Sequence, residues 1–374
     1  MATPYNYPYD NEITVEIDGK AHSNWKSYDI DSDFLIPADA FSFEIGTPAN
    51  HTVLPDLSGK EVRVKINGQI VLTGIVDATQ HQISKNSRTF SLNGRDRASI
   101  LVDCSAPTTN VKGLTVLDAI KKIVEPLGIK KIELRAKDNN PVIDKIDIEP
   151  SETAWSAALR CANFAGLHLW FDPNGMLIVG GPDYRSPPVA TLCCQKNGWR
   201  NNFEQAQLTY DISQSFSEVT FLAQKHGRSH DDNKNNLKWV WQDKSVKFYR
   251  PKTVVIHDAE DLESLKKHAK KYLSDAALNA FTLTIIVPDH KTESGILWQP
   301  GQRVHVICEE YDIDAIFFVM GRRFTLSRSQ GTQTELRLKQ DGIWIPDAFR
   351  EHSKRARKRK GKKAKELIAL GPKS

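Results

Sequence analysis

The side chains that could do chemistry are few and do not converge. His226 and His230 stand four positions apart with Asp231 and Asp232 beside them, a donor set of the kind that holds a metal ion. Such a pair converges only on a helix. Gly227 and the surrounding Asn, Asp and Lys read as loop, so a solvated segment is expected and no metal. Glu309-Glu310 and Glu260-Asp261 are paired carboxylates, but nothing around them marks a cleft. His305 alternates with Val304 and Val306, which turns it away from the core of a strand as a surface or interface residue. Arg95-Asp96-Arg97 fits an ion-pair network or a charged channel lining, and the network is the simpler reading. No GxSxG, HExxH, Walker A loop or dinucleotide fingerprint occurs. Gly59-Lys60 and Gly301-Gln302 begin strands rather than helices, so they are not phosphate loops. No catalytic, cofactor-binding or metal site is expected, and the chain does not read as an enzyme.

The densest charge lies at the C-terminus. Lys354, Arg355, Arg357, Lys358, Arg359, Lys360, Lys362, Lys363 and Lys365 could neutralise phosphates by counterion release. They could equally form a flexible solubilising or docking tail, and no aromatic residue is interleaved to stack on bases. Residues 354–374 hold ten Lys/Arg and one acid, a net +9, which leaves −4 of the total +5 for residues 1–353. The folded part is therefore mildly acidic. Lys365-Glu-Leu-Ile-Ala-Leu370 could form a short amphipathic helix on a partner.

A chain of 374 residues, 40% hydrophobic and 26% charged, has the composition of a globular protein of two to three domains. No apolar run reaches the ~20 residues of a membrane helix. The N-terminus has neither a basic start nor an apolar stretch, so synthesis and folding in the cytoplasm are expected. Cys104, Cys161, Cys193, Cys194 and Cys308 are odd in number and lack a CxxC pair, which points to buried free thiols.

The elements that must position these residues come as an internal repeat. Phe41-Ser-Phe43-Glu-Ile45, Val62-Arg-Val64, Gly74-Ile75-Val76 and Phe90-Ser-Leu92 recur as Leu283-Thr-Ile285-Ile-Val287, Val304-His-Val306, Phe318-Val319 and Leu336-Arg-Leu338. Phe43 to Val62 and Ile285 to Val304 both span 19 positions, and Val62 to Val76 spans 14 against 15 for Val304 to Val319. Loop-length drift in a conserved strand order reads as two copies of one β-module. Asp18-Gly19 and Asn67-Gly68 mark tight hairpins.

The expected class is α+β, mainly β, with two small β-barrel modules and a small α+β domain. Residues 1–98 form the first module and 99–180 the α+β domain. Residues 181–224 and 281–345 form a split second module. Residues 225–280 form an excursion of polar loop and amphipathic helix that packs beside the α+β domain, and 346–374 a flexible tail. Within 99–180, Thr115 can cap a helix ending before Gly128, and a second helix is expected from Ser151 with Trp155, Ala158, Leu159 and Ala162 on one face. The helix of the excursion is expected from Asp261 to Asn279 with Leu262, Leu265, Ala269, Leu273 and Ala276 inward.

The strings ITVEIDGK, FSFEIGTP, SGKEVRVKINGQIVLTGIVD and LNGRD, followed in order by LTVLDAIKKIVEPLGI, ETAWSAALRCANFAGLHLWFDPNGMLIVG and WQPGQRVHV, resemble the baseplate hub proteins of Mu-type contractile phages. That family is related to the hub part of type VI secretion spike proteins. The resemblance runs to about Ile345 and carries no catalytic signature. It implies a virion protein assembled in the host cytoplasm. It implies a homotrimeric ring in which six barrels match a sixfold tail tube to a threefold cell-puncturing spike around a DNA channel. With no needle-like segment after the hub, the spike is expected to be a separate protein. The competing expectation is a nucleic-acid-binding β-barrel protein acting through the basic tail.

Overall fold

The computed structural model describes residues 11–46, 56–107, 111–136, 139–224, 236–256, 259 and 261–345. His226, His230 and the nine basic residues from Lys354 to Lys365 lie outside them. Seven strands make the first module: β1 (Ile13–Ile17), β2 (Lys20–His22), β3 (Ser27–Asp33), β4 (Ala40–Gly46), β5 (Glu61–Ile66), β6 (Gln69–Ile83) and β7 (Arg88–Asp96). Period-two alternation explains their faces. Ile13, Val15, Ile17, Phe41, Phe43, Val62, Val64 and Ile66 are buried, while Glu16, Ser42 and Arg63 turn outward. The hairpin turns have the mirror-image geometry that strand twist favours. Asp18 and Gly19 sit at φ 49° and 76°, and Asn67 and Gly68 at 48° and 77°.

The α+β domain follows: α1 (Ala98–Asp103), β8 (Val111–Thr115), α2 (Val116–Val124), β9 (Ile132–Leu134), β10 (Val142–Ile146), α3 (Ala154–Phe164), β11 (His168–Phe171) and β12 (Leu177–Gly180). The Thr115 hydroxyl accepts from the Asp118 amide at 3.2 Å, a side-chain cap for α2. The helix expected from Ser151 starts later. Ser151 takes φ 71°, which no helix admits, and Thr153 is the cap, accepting from the Ser156 amide at 3.2 Å.

The remaining elements are β13 (Ala190–Cys194), β14 (Gln205–Tyr210), β15 (Glu218–Gln224), β16 (Asn236–Gln242), β17 (Pro251–Val255), α4 (Leu262–Ala280), β18 (Phe281–Pro288), β19 (Arg303–Cys308), β20 (Ile313–Ser327) and β21 (Gly331–Gln340). Here one expectation is corrected. Val219 and Phe221 do not belong to the second module, because β15 pairs with β16 and β17 in a separate three-stranded sheet. Their apolar face is covered by Leu265 and Ala269 of α4, and Phe221 stacks on Trp239 with ring centres 5.7 Å apart. Alternation shows that a strand has an apolar face; it does not say what covers it. The excursion is thus a small α+β unit of its own.

Helix α4 packs Leu265, Ala269 and Leu273 inward as expected, but not Leu262. Leu265, Ala269, Ser274 and Leu278 are buried and Leu262 is exposed, so the helix packs its first half on the small sheet while Leu278 reaches the core of the α+β domain. At its C-terminus the buried Lys339 ammonium donates to the carbonyls of Leu278 (2.6 Å) and Phe281 (3.0 Å) and to the Thr282 hydroxyl (2.7 Å). A cation is favoured there by the helix dipole and the unpaired last carbonyls.

The duplication holds down to single hydrogen bonds. Phe43 pairs with Leu92 as Ile285 pairs with Leu336. Each 15-residue strand bulges just after the matching valine, between Val76 and Ala78 and between Val319 and Gly321. Gly59 donates to the Val76 carbonyl at 2.8 Å, and Gly301 to the Val319 carbonyl at 2.9 Å. Val76 donates back to Lys60 at 3.0 Å, and Val319 to Gln302 at 2.8 Å. At the first strand the off-register bond Lys26 to Glu44 recurs as Glu204 to Ile286, both 2.8 Å. The copies differ at one edge: β5 is flanked by the antiparallel β1, whereas β19 is flanked by the parallel β13.

One cross-strand position shows how volume is conserved. Phe41 faces Gly94 in the first module, while Leu283 faces Leu338 in the second. A Cβ on Gly94 would lie 2.3 Å from both the Ile75 carbonyl oxygen and the Phe41 ring. Gly94→Ala should therefore destabilise the protein by about 2–3 kcal/mol. A urea-unfolding midpoint unchanged from wild type would contradict this packing.

Candidate functional site

The two modules are joined by β3 and the second half of β20, which pair antiparallel from Tyr28 opposite Leu326 to Asp33 opposite Gly321. This pairing merges both modules into one 13-stranded sheet. Alternation along β3 sends Tyr28 and Ile30 into the core and Asp29, Asp31 and Asp33 to the other face. On that face the Arg323 guanidinium donates to the Asp29 carboxylate. Arg337 donates to Asp33 at 2.8 Å and to both oxygens of Asp31. Burial opposes the charge on Arg337, but Asp31, Asp33 and Glu335 hold its pKa above the ordinary arginine value. The pair with Asp33 is mostly buried, and removing either partner would strand a charge.

On the core face the junction carries an uncharged hydrogen-bond chain beside the buried Arg322. The Thr334 hydroxyl gives its proton to the Asp289 carbonyl at 2.6 Å, so His290 Nδ1–H is the donor to Thr334 at 3.0 Å. His290 Nε2 then accepts from the Tyr28 hydroxyl at 2.7 Å. Burial pushes the His290 pKa down to about 3 and raises that of Tyr28, so this chain carries no charge at neutral pH.

A cavity of about 490 Å³ opens beside the junction, lined by Asp39, Asp96, Thr73 and Arg322 of the modules and by Trp170 and Asp172 of the α+β domain. Arg322 is 1% exposed and donates to the carbonyls of Ile30 (2.9 Å) and Val71 (3.2 Å), with its guanidinium 4.1 Å from the centre of the Phe324 ring. Burial lowers its pKa to about 10. Packing raises the Asp39 carboxyl to about 6, against the lowering pull of the Ser32 hydroxyl and of Arg322. Burial, then the nearby Asp39 charge, raises Asp96 well above the usual carboxylate range. Asp96 accepts from the Ala98 amide at 2.9 Å and its carbonyl from the Ser99 hydroxyl at 2.8 Å, so it anchors the start of α1.

Four family descriptions match successive stretches of this framework. They are the N-terminal part of Mu phage baseplate assembly protein GpP-like proteins (residues 12–96), the second domain of baseplate hub protein gp44-like proteins (98–181), the third domain of NMB1110-like tail proteins (215–273) and a tail-protein C-terminal domain (275–343). The tail protein of Neisseria meningitidis MC58 is 56% identical, covering 91% of this chain and 100% of that one, with a TM-score of 0.83. This chain belongs to the Mu-like baseplate hub family of phage tail proteins. Baseplate hub protein gp44 of Escherichia phage Mu is 23% identical over 90% of each chain. The 43 kDa tail protein of prophage MuSo2 from Shewanella oneidensis shares the fold at 22% identity, covering 89% of this chain and 99% of that one with a TM-score of 0.77.

In this hub protein the α+β domain docks on the same junction. Phe34, in the turn after β3, packs on Trp170, Phe318 and Trp344 with ring centres 5.0, 6.2 and 5.5 Å away. Its carbonyl accepts from His168 Nε2–H at 2.8 Å, and burial holds that imidazole neutral with a pKa of about 3. Three units therefore meet at one aromatic residue.

The residues singled out in the sequence are scattered through the hub. Arg95 pairs with Asp77 and Asp103, and Arg97 with Glu61, so this run is an ion-pair network. His305 faces away from the core and reaches Asp314 at 2.6 Å. Glu309 accepts from the Lys196 amide, and Asp261 caps α4. Cys104 is exposed, against the expectation of burial for all five thiols. Among the described residues no three His, Cys, Asp or Glu side chains are grouped to hold a metal ion, and no helix is long and apolar enough to cross a membrane. Sequence reading missed the junction acids. The signal was there, since Asp29, Asp31 and Asp33 alternate with the apolar positions of β3, but their partners lie roughly 300 positions away in the chain, |i−j| being 294 for Arg323 and Asp29.

The raised Asp39 carboxyl gives the hub a pH dependence of unusual sign. Its folded pKa exceeds the unfolded value near 3.9, so its stabilisation is complete below about pH 4 and is lost as pH rises through about 6. Asp39→Asn should match wild type near pH 4.5 and exceed it at pH 7.5 by on the order of 1–2 kcal/mol, with screening of a half-buried group allowed for. Thermal unfolding of both proteins at the two pH values checks this, and an equal gap at both would refute it.

Proposed function

We propose that three copies of this hub protein form a ring of six modules that joins a sixfold tail tube to a threefold spike and surrounds the channel for DNA. The observation that carries this reading is the register identity of the two modules. Two units that bulge, turn and pair at matching residues can occupy equivalent places in a ring, so a trimer presents pseudo-sixfold order to one partner and true threefold order to the other. The net −4 of residues 1–353 is in keeping with a channel wall that does not grip passing DNA. The two modules and the α+β domain meet in one junction, which suits a rigid adaptor. Its place is the virion baseplate, reached after assembly in the host cytoplasm.

A ring of this kind needs an interface large enough to be obligate. Light scattering coupled to size exclusion should give three times the chain mass at micromolar concentration. A stable monomer there would overturn the ring.

The charge of residues 354–374 favours a second role, contact with nucleic acid through Lys354, Arg355, Arg357, Lys358, Arg359, Lys360, Lys362, Lys363 and Lys365. If about half of these engage phosphates, log–log salt plots of DNA binding should have a slope on the order of −4. Deleting 354–374 should abolish that binding and leave the trimer intact. Binding that survives the deletion would remove the tail from this role.

A further inference from the structure

The internal repeat predicts which surfaces of one copy meet the next. Within the chain, β3 fills the side of β20 that β19 leaves open beyond the bulge, pairing with Gly321 to Leu326. The equivalent stretch of the first module is Ala78 to Ile83 of β6. There β5 has already ended, its last pairing being Glu61 with Ile75, and among the described residues no strand takes the place that β3 takes on β20. The equivalent of β3 in the second module is β14. Among the described residues it pairs with β18 alone and no strand covers its other edge. One chain therefore carries the two halves of a second β3–β20 junction, on opposite modules.

The backbone polarity of both edges suits that junction. Phe34 donates to the Met320 carbonyl at 3.1 Å, so Tyr28, Ile30 and Ser32 point their backbone groups at β20. Asp211 donates to the Ala280 carbonyl at 2.9 Å, so Ala206, Leu208 and Tyr210, the equivalents of those three, point theirs away from β18 into the open edge. The Tyr311 hydroxyl holds the Ala206 carbonyl at 3.0 Å and marks the end of the ladder. Exposed edges are usually guarded by charge or proline. Neither Ala78-Thr-Gln-His-Gln-Ile83 nor Gln205-Ala-Gln-Leu-Thr-Tyr210 contains Lys, Arg, Asp, Glu or Pro. Both also expose large apolar side chains, Ile83 at 73% and Tyr210 at 75%.

We propose that β6 residues 78–83 of one copy pair antiparallel with β14 of a second copy, in the register of the intrachain β3–β20 junction. Thr79, His81 and Ile83 then bond through the backbone to Tyr210, Leu208 and Ala206 of the neighbour. Gln80 lies directly opposite Thr209, with Gln207 diagonal to it where Asp29 is diagonal to Arg323. The contact is head-to-tail, the kind that closes a three-membered ring when each copy is rotated by a third of a turn. The inference rests on the trimeric reading above and supplies its interface.

The test uses the full chain. Gln80→Cys with Thr209→Cys places two thiols at a close, non-hydrogen-bonded pair, within disulfide reach only if the edges meet in this register. Oxidation should give covalent dimers and trimers on non-reducing gels. Neither single variant should do so, nor Gln80→Cys combined with Leu208→Cys, which is one residue out of register. Separately, Gln80→Arg with Gln207→Arg should weaken the trimer at least tenfold by sedimentation. Gln80→Arg with Gln207→Asp should restore it to within about threefold by recreating the Arg323–Asp29 pair between copies. A wild-type trimer that neither cross-links nor responds to the arginine pair overturns this interface and leaves the ring standing. A wild-type monomer overturns both.

Discussion

The pairing of β3 with β20 is the constraint on which the hub rests. It joins strands whose interacting residues lie some 300 positions apart in sequence, fuses two modules into one sheet and fixes their relative orientation. Chain entropy opposes so distant a contact, and both faces of the junction are built to offset it. Outside, Arg337 and Arg323 bind the three alternating aspartates; inside, the neutral Tyr28–His290–Thr334 chain satisfies polar groups and the buried Arg322 is held by the Ile30 and Val71 carbonyls. The α+β domain docks onto the same place through Phe34, so the orientation of three units depends on a few side chains.

Duplication gives the junction a further consequence. A contact made between module two and module one inside a chain can be made again between module one and the next chain's module two, provided the edges are open. The differences between copies are as informative as their likeness. Charged residues seal the internal contact, where Arg323 and Arg337 stand, while the equivalent positions of the first module are Gln80 and, on the neighbouring strand β7, Asn93, uncharged and of lower desolvation cost. The contact within the chain is locked by ion pairs; the one proposed between molecules would be polar and uncharged.

The excursion after β14 shows the reverse situation, a unit nested within a repeat. The sheet of β15, β16 and β17 completes its own core with the first half of α4, and the second half of that helix returns to the main body through Leu278 and Ser274. A single helix thus belongs to two cores: its periodicity implied Leu265, Ala269 and Leu273, and the fold added Leu278 and left Leu262 exposed.

The sequence by itself determined the local features. Asp18-Gly19 and Asn67-Gly68 require positive φ, Thr115 caps the turn that follows it, and period-two alternation set the core faces of β1, β4, β5 and β19. The duplication was legible too, because equal spacings record equal strand and turn lengths. What tertiary structure decided was partnership. Val219 and Phe221 show an apolar face that any neighbouring surface could cover, and only the fold chose α4 and β16. Asp29, Asp31 and Asp33 alternate visibly, yet alternation carries no information about an arginine some 300 residues distant. Backbone geometry and side-chain periodicity act within a few residues, whereas the choice between competing apolar or charged partners is made by the whole chain as it packs.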